Sequence, residues 1–351
     1  MTHDVMKGAV RFVLDGGLVS QRLSIVWHAG EPLVLPVSYY MEAFAAIEEE
    51  VRGRCEVSHS FQTNGTLISD SWCEFMKTQN MRIGLSIDGP AFLHDHHRKT
   101  RYGEPTHEQT MRGVEKLKEH EIPFHVIAVV TAAGLDHAEA IFRFFEGLGV
   151  RELGFNVEEL EGDHIFSSLA GDLTMGKIEN FWKQLYELYE SCGAAFQIRE
   201  FERATRAILM PQEKRTLQEL ATQNDQIVPF RILSVDCQGR LSTFSPELLG
   251  VHDEYYGDFI FGQVQMHDLA TVRASQQFQR AVNDVMQGVR ECSRTCEYFS
   301  VCGGGAPSNK YFENKSLSST TTMYCRSSIQ LPVDVVLSRL ENKLNIGSSG
   351  G

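Results

Sequence analysis

An α/β fold is what this chain predicts: a parallel sheet with helical crossovers, closed by a smaller, cysteine-bearing α+β domain. Two observations predict it. Residues 1–157 alternate helix-like and strand-like stretches joined by short loops, as a sheet does when every strand runs the same way. From about Arg231 the texture changes to short strands and turns, and half of the eight cysteines lie from Cys292 onward.

The elements follow in order. A helical stretch from Val5 to Leu14 precedes the strand LSIVWH at 23–28. A helix from about Ser38 to Glu50 leads to EVSHSFQ (56–62), and one near Asp70 to Lys77 leads to MRIGLSI (81–87). Thr106 is placed to N-cap a helix running to Lys118, with Glu108 favouring the dipole in its first turn. FHVIAVV (124–130), a helix from about His137 to Leu148, and ELGFNV (152–157) complete the repeat. Each strand exits into a polar, Gly- or Pro-shaped loop, among them His28–Pro32, Gln62–Gly65 and Ser86–Pro90. Asn-Gly and Asp-Gly form turns unaided, but five such exits in order point to a site at the strands' C-terminal face.

The region 161–228 reads as helical, with Ile178, Phe181, Trp182, Leu185, Leu188 and Tyr189 at helix spacing, a core stripe. RILSVDCQGRLSTF and YYGDFIFGQV read as a hairpin opening a domain over 229–344. A closing helix from Arg326 to Asn342 turns Val333, Val336, Leu337 and Leu340 to one face, and residues 345–351 read as a disordered tail.

Cys292, Cys296 and Cys302 sit close together in ECSRTCEYFSVCGGGAP, and Cys325 returns later. Three near thiolates and a distant fourth suit one soft inorganic centre, an iron–sulfur cluster first. The glycines after Cys302 let backbone N–H groups approach sulfur. Structural zinc uses the same ligands, usually in two C-x2-4-C pairs. A pair of disulfides is the third alternative, disfavoured without a secretion signal.

With 42% hydrophobic and 23% charged residues the chain can bury a large core. A formal charge of −13 without a basic stripe argues against nucleic acid. No apolar run has the ~18 residues of a membrane span, and a cytoplasmic location is expected. The acidic balance suggests a partner bearing positive charge.

The ordered set HAGEP, QTNG, SIDGP, the following HD and Arg98, and CGGGAPSNK resembles radical S-adenosylmethionine (SAM) enzymes with a C-terminal SPASM domain. Among these it is most similar to the GrrM/OscB group, peptide maturases that form cyclophane cross-links in glycine-rich precursors. VWHAGEPLVLP, SHSFQTNGTLI, GFNVEE and STFSPELLG carry the likeness along essentially the whole chain. It implies a partial (β/α)6 barrel over 1–160, the helical connection, and a SPASM domain. Gly30 and Glu31 match the motif that receives the SAM amino group, and Ser86 and Arg98 match positions holding its carboxylate and ribose. Asn64, Asp88 and Asn156 correspond to pocket-lining positions. Cys292, Cys296, Cys302 and Cys325 match the ligands of one auxiliary [4Fe–4S] cluster. Ala306 stands where a ligand of a second cluster would be, and Phe244 and Ser245 lie near another.

One departure is larger. The CxxxCxxC loop that carries the radical SAM [4Fe–4S] cluster does not occur, and no cysteine precedes Cys55. The expectation is an N-terminally truncated barrel without its first strand, unable to cleave SAM as written; only a full-length form would hold that cluster. The resemblance implies a ribosomal precursor peptide as substrate and an external electron donor such as flavodoxin or ferredoxin. A sulfatase formylglycine-forming maturase and a non-catalytic peptide-binding remnant are the alternatives.

Overall fold

The computed structural model describes residues 1–162, 166–169, 172–193, 196–209 and 224–348. Its first unit is a six-stranded parallel sheet whose strands lie in chain order. These are β1 (Arg22–Trp27), β2 (Glu56–Thr63), β3 (Arg82–Ser86), β4 (Phe124–Val130), β5 (Glu152–Val157) and β6 (Gln197–Ile198). Unbroken sequential order means each right-handed crossover turns the same way, so the sheet curls with its helices on one side.

Those helices are α1 (His3–Asp15), α2 (Val37–Val51), α3 (Asp70–Thr78), α4 (Ala91–His97), α5 (His107–Glu119), α6 (Ala138–Leu148), α7 (Asp172–Ser191) and α8 (Arg199–Leu209). Side chains alternate across a strand. Phe61, Ile83, Leu85, Val126, Ala128, Val130, Leu153, Phe155 and Val157 face the helices and are buried. The opposite, concave face carries Ser58, Ser60, Gln62, Gly84, Ser86, His125, Ile127, Glu152, Gly154 and Asn156 in the strand registers.

Strand β6 is among the elements the sequence reading misses. Two residues between helices carry no periodicity, yet both pair with the start of β5. Thr106 precedes α5 as expected but caps nothing. Its hydroxyl donates to the Arg98 carbonyl instead, and Asp95 Oδ1 accepts from the Thr106 and His107 amides at 2.9 and 2.8 Å. A carboxylate arriving from α4 does the capping at closer range.

The second unit is an antiparallel sheet of β7 (Leu233–Val235), β8 (Arg240–Thr243) and β9 (Gly262–Gln263). With it go α9 (Leu269–Ala274), α10 (Gln276–Thr295), α11 (Phe299–Cys302) and α12 (Pro307–Asn314). Its core gathers Leu241, Phe259, Phe278, Val285 and Val289, and α1 lends it Val5, Phe12 and Val13 while Met6 and Val10 enter the first core.

The closing helix α13 (Leu331–Ser348) returns to the first core against α7 and α8. A π-helical turn over Cys325–Gln330 precedes it, anchored by Trp182 Nε1 donating to the Ser327 carbonyl at 2.8 Å. That wider turn shifts the helix phase. Val333, Val335 and Val336 are buried while Leu337 is 39% exposed, so Val335 takes the place expected for Leu337. The helical backbone runs past Leu344 to Ser348, and residues 349–351 lie outside the described residues. Among the described residues no helix is long and apolar enough to cross a membrane.

Candidate functional site

At the exit of β1, Ala29 and Gly30 both have left-handed backbones, φ 68° and 69°. The first is uncommon for a residue with a Cβ. Together they turn Glu31 back onto β2. Its Oε1 accepts from Thr63 Oγ1 at 2.6 Å and from the Leu33 amide at 3.0 Å; Oε2 accepts from the Asn64 amide at 2.8 Å. Three of about four lone-pair positions on the carboxylate are thus filled by the protein. Asn64 Oδ1 in turn accepts from the amide and hydroxyl of Thr66 at 2.9 and 2.7 Å.

Asp88 and Arg98 also find each other. Arg98 Nε and Nη2 donate to the two Asp88 oxygens at 2.6 and 2.9 Å, and the Val129 amide donates to Oδ1 at 2.9 Å. The pair locks the β3 exit to β4 and to the end of α4. Behind it His94, 1% exposed, accepts from the Asp88 amide and meets Thr106 Oγ1 at 3.2 Å.

Burial lowers the His94 pKa from 6.5 to about 4. The folded ring is neutral, so below pH 6.5 the unfolded chain binds its proton first. His94 therefore contributes full stability above pH 6.5 and loses it as pH falls toward 4, on the order of 2 kcal/mol by pH 5. Glu159, raised by burial to about 7, runs the other way. As pH falls from 7 to 5, the melting temperature of His94→Gln is expected to fall less, or rise more, than that of the unmodified protein.

Ser86 and Asn156 stand on the concave face itself. Gln62 Nε2 donates to Ser86 Oγ at 3.0 Å, and Arg199 Nη2 donates to Asn156 Oδ1 at 3.0 Å. Of the seven, Glu31 bonds to Asn64 and Asp88 to Arg98, while Ser86 and Asn156 bond to residues outside the set, so they do not form a single cluster. Gln62, read only as the start of a strand exit, belongs to the concave wall with His125 and Arg199, which escaped the sequence reading. Two strand glycines signal them. A Cβ at Gly84 would stand 2.1 Å from Gln62 Oε1 and 2.6 Å from His125 Nε2, and one at Gly154 would stand 2.8 Å from Arg199 Cζ.

A large cavity lies at the other end of the strands. About 1420 Å³ in volume, it is bordered by His125, Ile127, Glu152 and Gly154, by Arg199, Arg203 and Arg206 of α8, and by all four late cysteines. Its wall carries those arginines and Lys310 beside Glu152, Glu202, Asp225 and Glu297. Both signs are present, so the net charge of the chain does not describe the wall, and a preference for a cationic peptide does not carry over.

Cys292 lies in the last turn of α10, Cys296 follows the helix, Cys302 closes α11 and Cys325 opens the π-turn. All eight cysteines are free thiols, so the disulfide alternative is not formed. Gly303, Gly304 and Gly305 all take positive φ, and the Gly304 amide donates to Cys302 Sγ at 3.4 Å. The Thr322 amide donates to Cys325 Sγ at 3.2 Å, and Asn224 pins the loop through the Cys302 and Gly305 carbonyls at 3.1 and 2.9 Å. Burial pushes the Cys292 thiol up, opposed by Lys310.

Among the described residues no three His, Cys, Asp or Glu side chains close on one point as a single ion requires. Four thiols bordering one cavity, with amide donors aimed at sulfur, fit the broader surface of a multi-iron cluster. Cys73, by contrast, is fully buried in α3, Cys55 lies just before β2, and Cys237 is exposed in the β7–β8 turn.

The model of the radical SAM superfamily matches residues 13–145. An uncharacterized protein of Synechocystis is 41% identical over 347 residues, covering 98% of this chain and 85% of that protein. A serine-type anaerobic sulfatase-maturating enzyme of Bacteroides thetaiotaomicron is 34% identical over 151 residues, 41% of this chain and 36% of its own length. The solved structure of native anSMEcpe with bound AdoMet and the Cp18Cys peptide superposes with a TM-score of 0.74 at 21% identity, covering 98% of this chain and 91% of that one. Residues 13–145 therefore form a radical SAM domain, in a chain whose fold is shared with the anSMEcpe structure.

Proposed function

We propose that the protein is a maturase that oxidises a side chain of a ribosomally made precursor peptide, joining a side-chain carbon to an aromatic ring. One observation carries this reading. The cavity of the four cysteines opens directly onto the concave face of β4 and β5, so a redox centre and the interior of the curled sheet share one space. At about 1420 Å³ that space exceeds the ~300–1,000 Å³ of small-molecule sites and suits a peptide segment.

Cys292, Cys296, Cys302 and Cys325 would hold an auxiliary [4Fe–4S] cluster, which when bound supplies a one-electron relay. The residues present do not fit a SAM-bound cluster. No CxxxCxxC occurs in the 351 residues, and Cys73 is sealed in the core. Gly30, Glu31, Asn64, Ser86, Asp88, Arg98 and Asn156 remain the proposed SAM side, with Glu31 and Arg98 fixing the rim through their partners. Glu159, raised to about 7 and held by Asn309 Nδ2 at 2.6 Å, can exchange a proton on its carboxylate near neutral pH.

The serine-type sulfatase-maturating relative favours a second reading, formylglycine formation. Co-expressing candidate precursors with the uninterrupted reading frame that contains these 351 residues separates the two by mass spectrometry. Cross-linking predicts loss of two hydrogens, no reaction with hydrazide and no fragmentation between the joined residues. An aldehyde captured by hydrazide supports the second reading instead, and an unchanged mass contradicts both.

A further inference from the structure

Lys310 of α12 is 3% exposed, and among the described residues its Nζ hydrogen-bonds to Cys292 Sγ alone, at 3.7 Å. Burying an ammonium is costly unless negative charge accompanies it, and no carboxylate pairs with this one among the described residues. Cys302 and Cys325 also lie within electrostatic range of it. The fold makes space for this arrangement. A Cβ at Gly288 of α10 would stand 2.9 Å from Lys310 Nζ, and one at Gly305 would stand 3.6 Å from its Cε. The glycine after Cys302 that lies nearest α12 and a glycine on α10 thus flank one cation, which the chemistry described so far leaves unused.

We propose that Lys310 is the built-in counter-charge of the cysteine centre: it donates to the Cys292 sulfur and holds the reduction potential of the cluster up. The inference rests on the cluster reading above. A cluster on four thiolates is anionic and gains one further negative charge on reduction. An ammonium at hydrogen-bond range therefore stabilises the reduced form more than the oxidised form. Lys310 acts as a positioning residue through the sulfur and touches no substrate.

The test uses the full chain with Lys310→Gln and Lys310→Arg, reconstituted anaerobically with iron and sulfide. Potentiometric titration is followed by the electron paramagnetic resonance signal of the reduced cluster. Lys310→Gln is expected to favour the oxidised form at least tenfold, a potential about 59 mV more negative for one electron. Lys310→Arg, which keeps the charge, is expected to stay near the unmodified value.

Equal potentials and equal iron in all three proteins overturn the proposal. Should Lys310→Gln take up little iron, iron content decides: recovery in Lys310→Arg supports a counter-charge, and loss in both overturns it in favour of packing. An iron-free unmodified protein is a separate result, because it removes the cluster reading and this inference with it.

Discussion

Replacing Cys302 by Ser is expected to bring iron after anaerobic reconstitution below about a tenth of the unmodified content. The thiol is buried, receives the Gly304 amide at 3.4 Å, and sits on the loop that Asn224 pins. A serine hydroxyl is a harder and much weaker ligand for iron than a thiolate. Cys325→Ser is expected to behave alike although it lies on another element, because both border one cavity. Cys237→Ser, in an exposed hairpin turn, is the control and should leave iron unchanged. Iron and acid-labile sulfide assays, beside circular dichroism to verify folding, check all three. Equal loss in Cys237→Ser would contradict the assignment.

The second large effect falls on stability. Asp88→Ala is expected to cost about 3 kcal/mol, as the loss of one partner of a buried pair does. The Asp88 side chain is 9% exposed and the Arg98 side chain 26%, so solvent compensates the remaining guanidinium only partly. The Val129 amide loses its acceptor as well. A fall in melting temperature of about 5 °C or more follows. A loss below about 1 °C would show that the pair does not hold the β3 exit to β4. A carboxylate reserved mainly for ligand would give that outcome, with the deficit appearing in SAM binding instead.

Much of this was legible before the structure. Five of the six parallel strands are long enough to show their pattern, and each is followed by a helix with its own period. Strand β6 is not legible, because two residues carry no alternation; pairing with Glu152 and Leu153 alone defines it. The four cysteines, grouped by spacing in the sequence, border one cavity in the structure. That Lys310 faces Cys292 is set by the packing of α12 on α10, which no local pattern encodes.

The exit loops follow their strands as read, but the bonding of their residues is tertiary. Arg98 reaches Asp88 because α4 folds back over ten residues. Glu31 reaches Thr63 and Asn64 only because β1 and β2 are neighbours. The polar concave wall could have been read from Gly84 and Gly154, strand glycines that make room for Gln62, His125 and Arg199. The face of α13 carries Val335 in place of the expected Leu337 because the π-turn ahead of it leaves no mark in composition.

The central claim is that a multi-iron cluster sits on Cys292, Cys296, Cys302 and Cys325. Mössbauer spectroscopy of the unmodified chain reconstituted with ⁵⁷Fe tests it most directly. The predicted spectrum is that of a single [4Fe–4S] cluster accounting for about four irons per chain. A protein that binds zinc tightly and yields no cluster signal under the same conditions would contradict it.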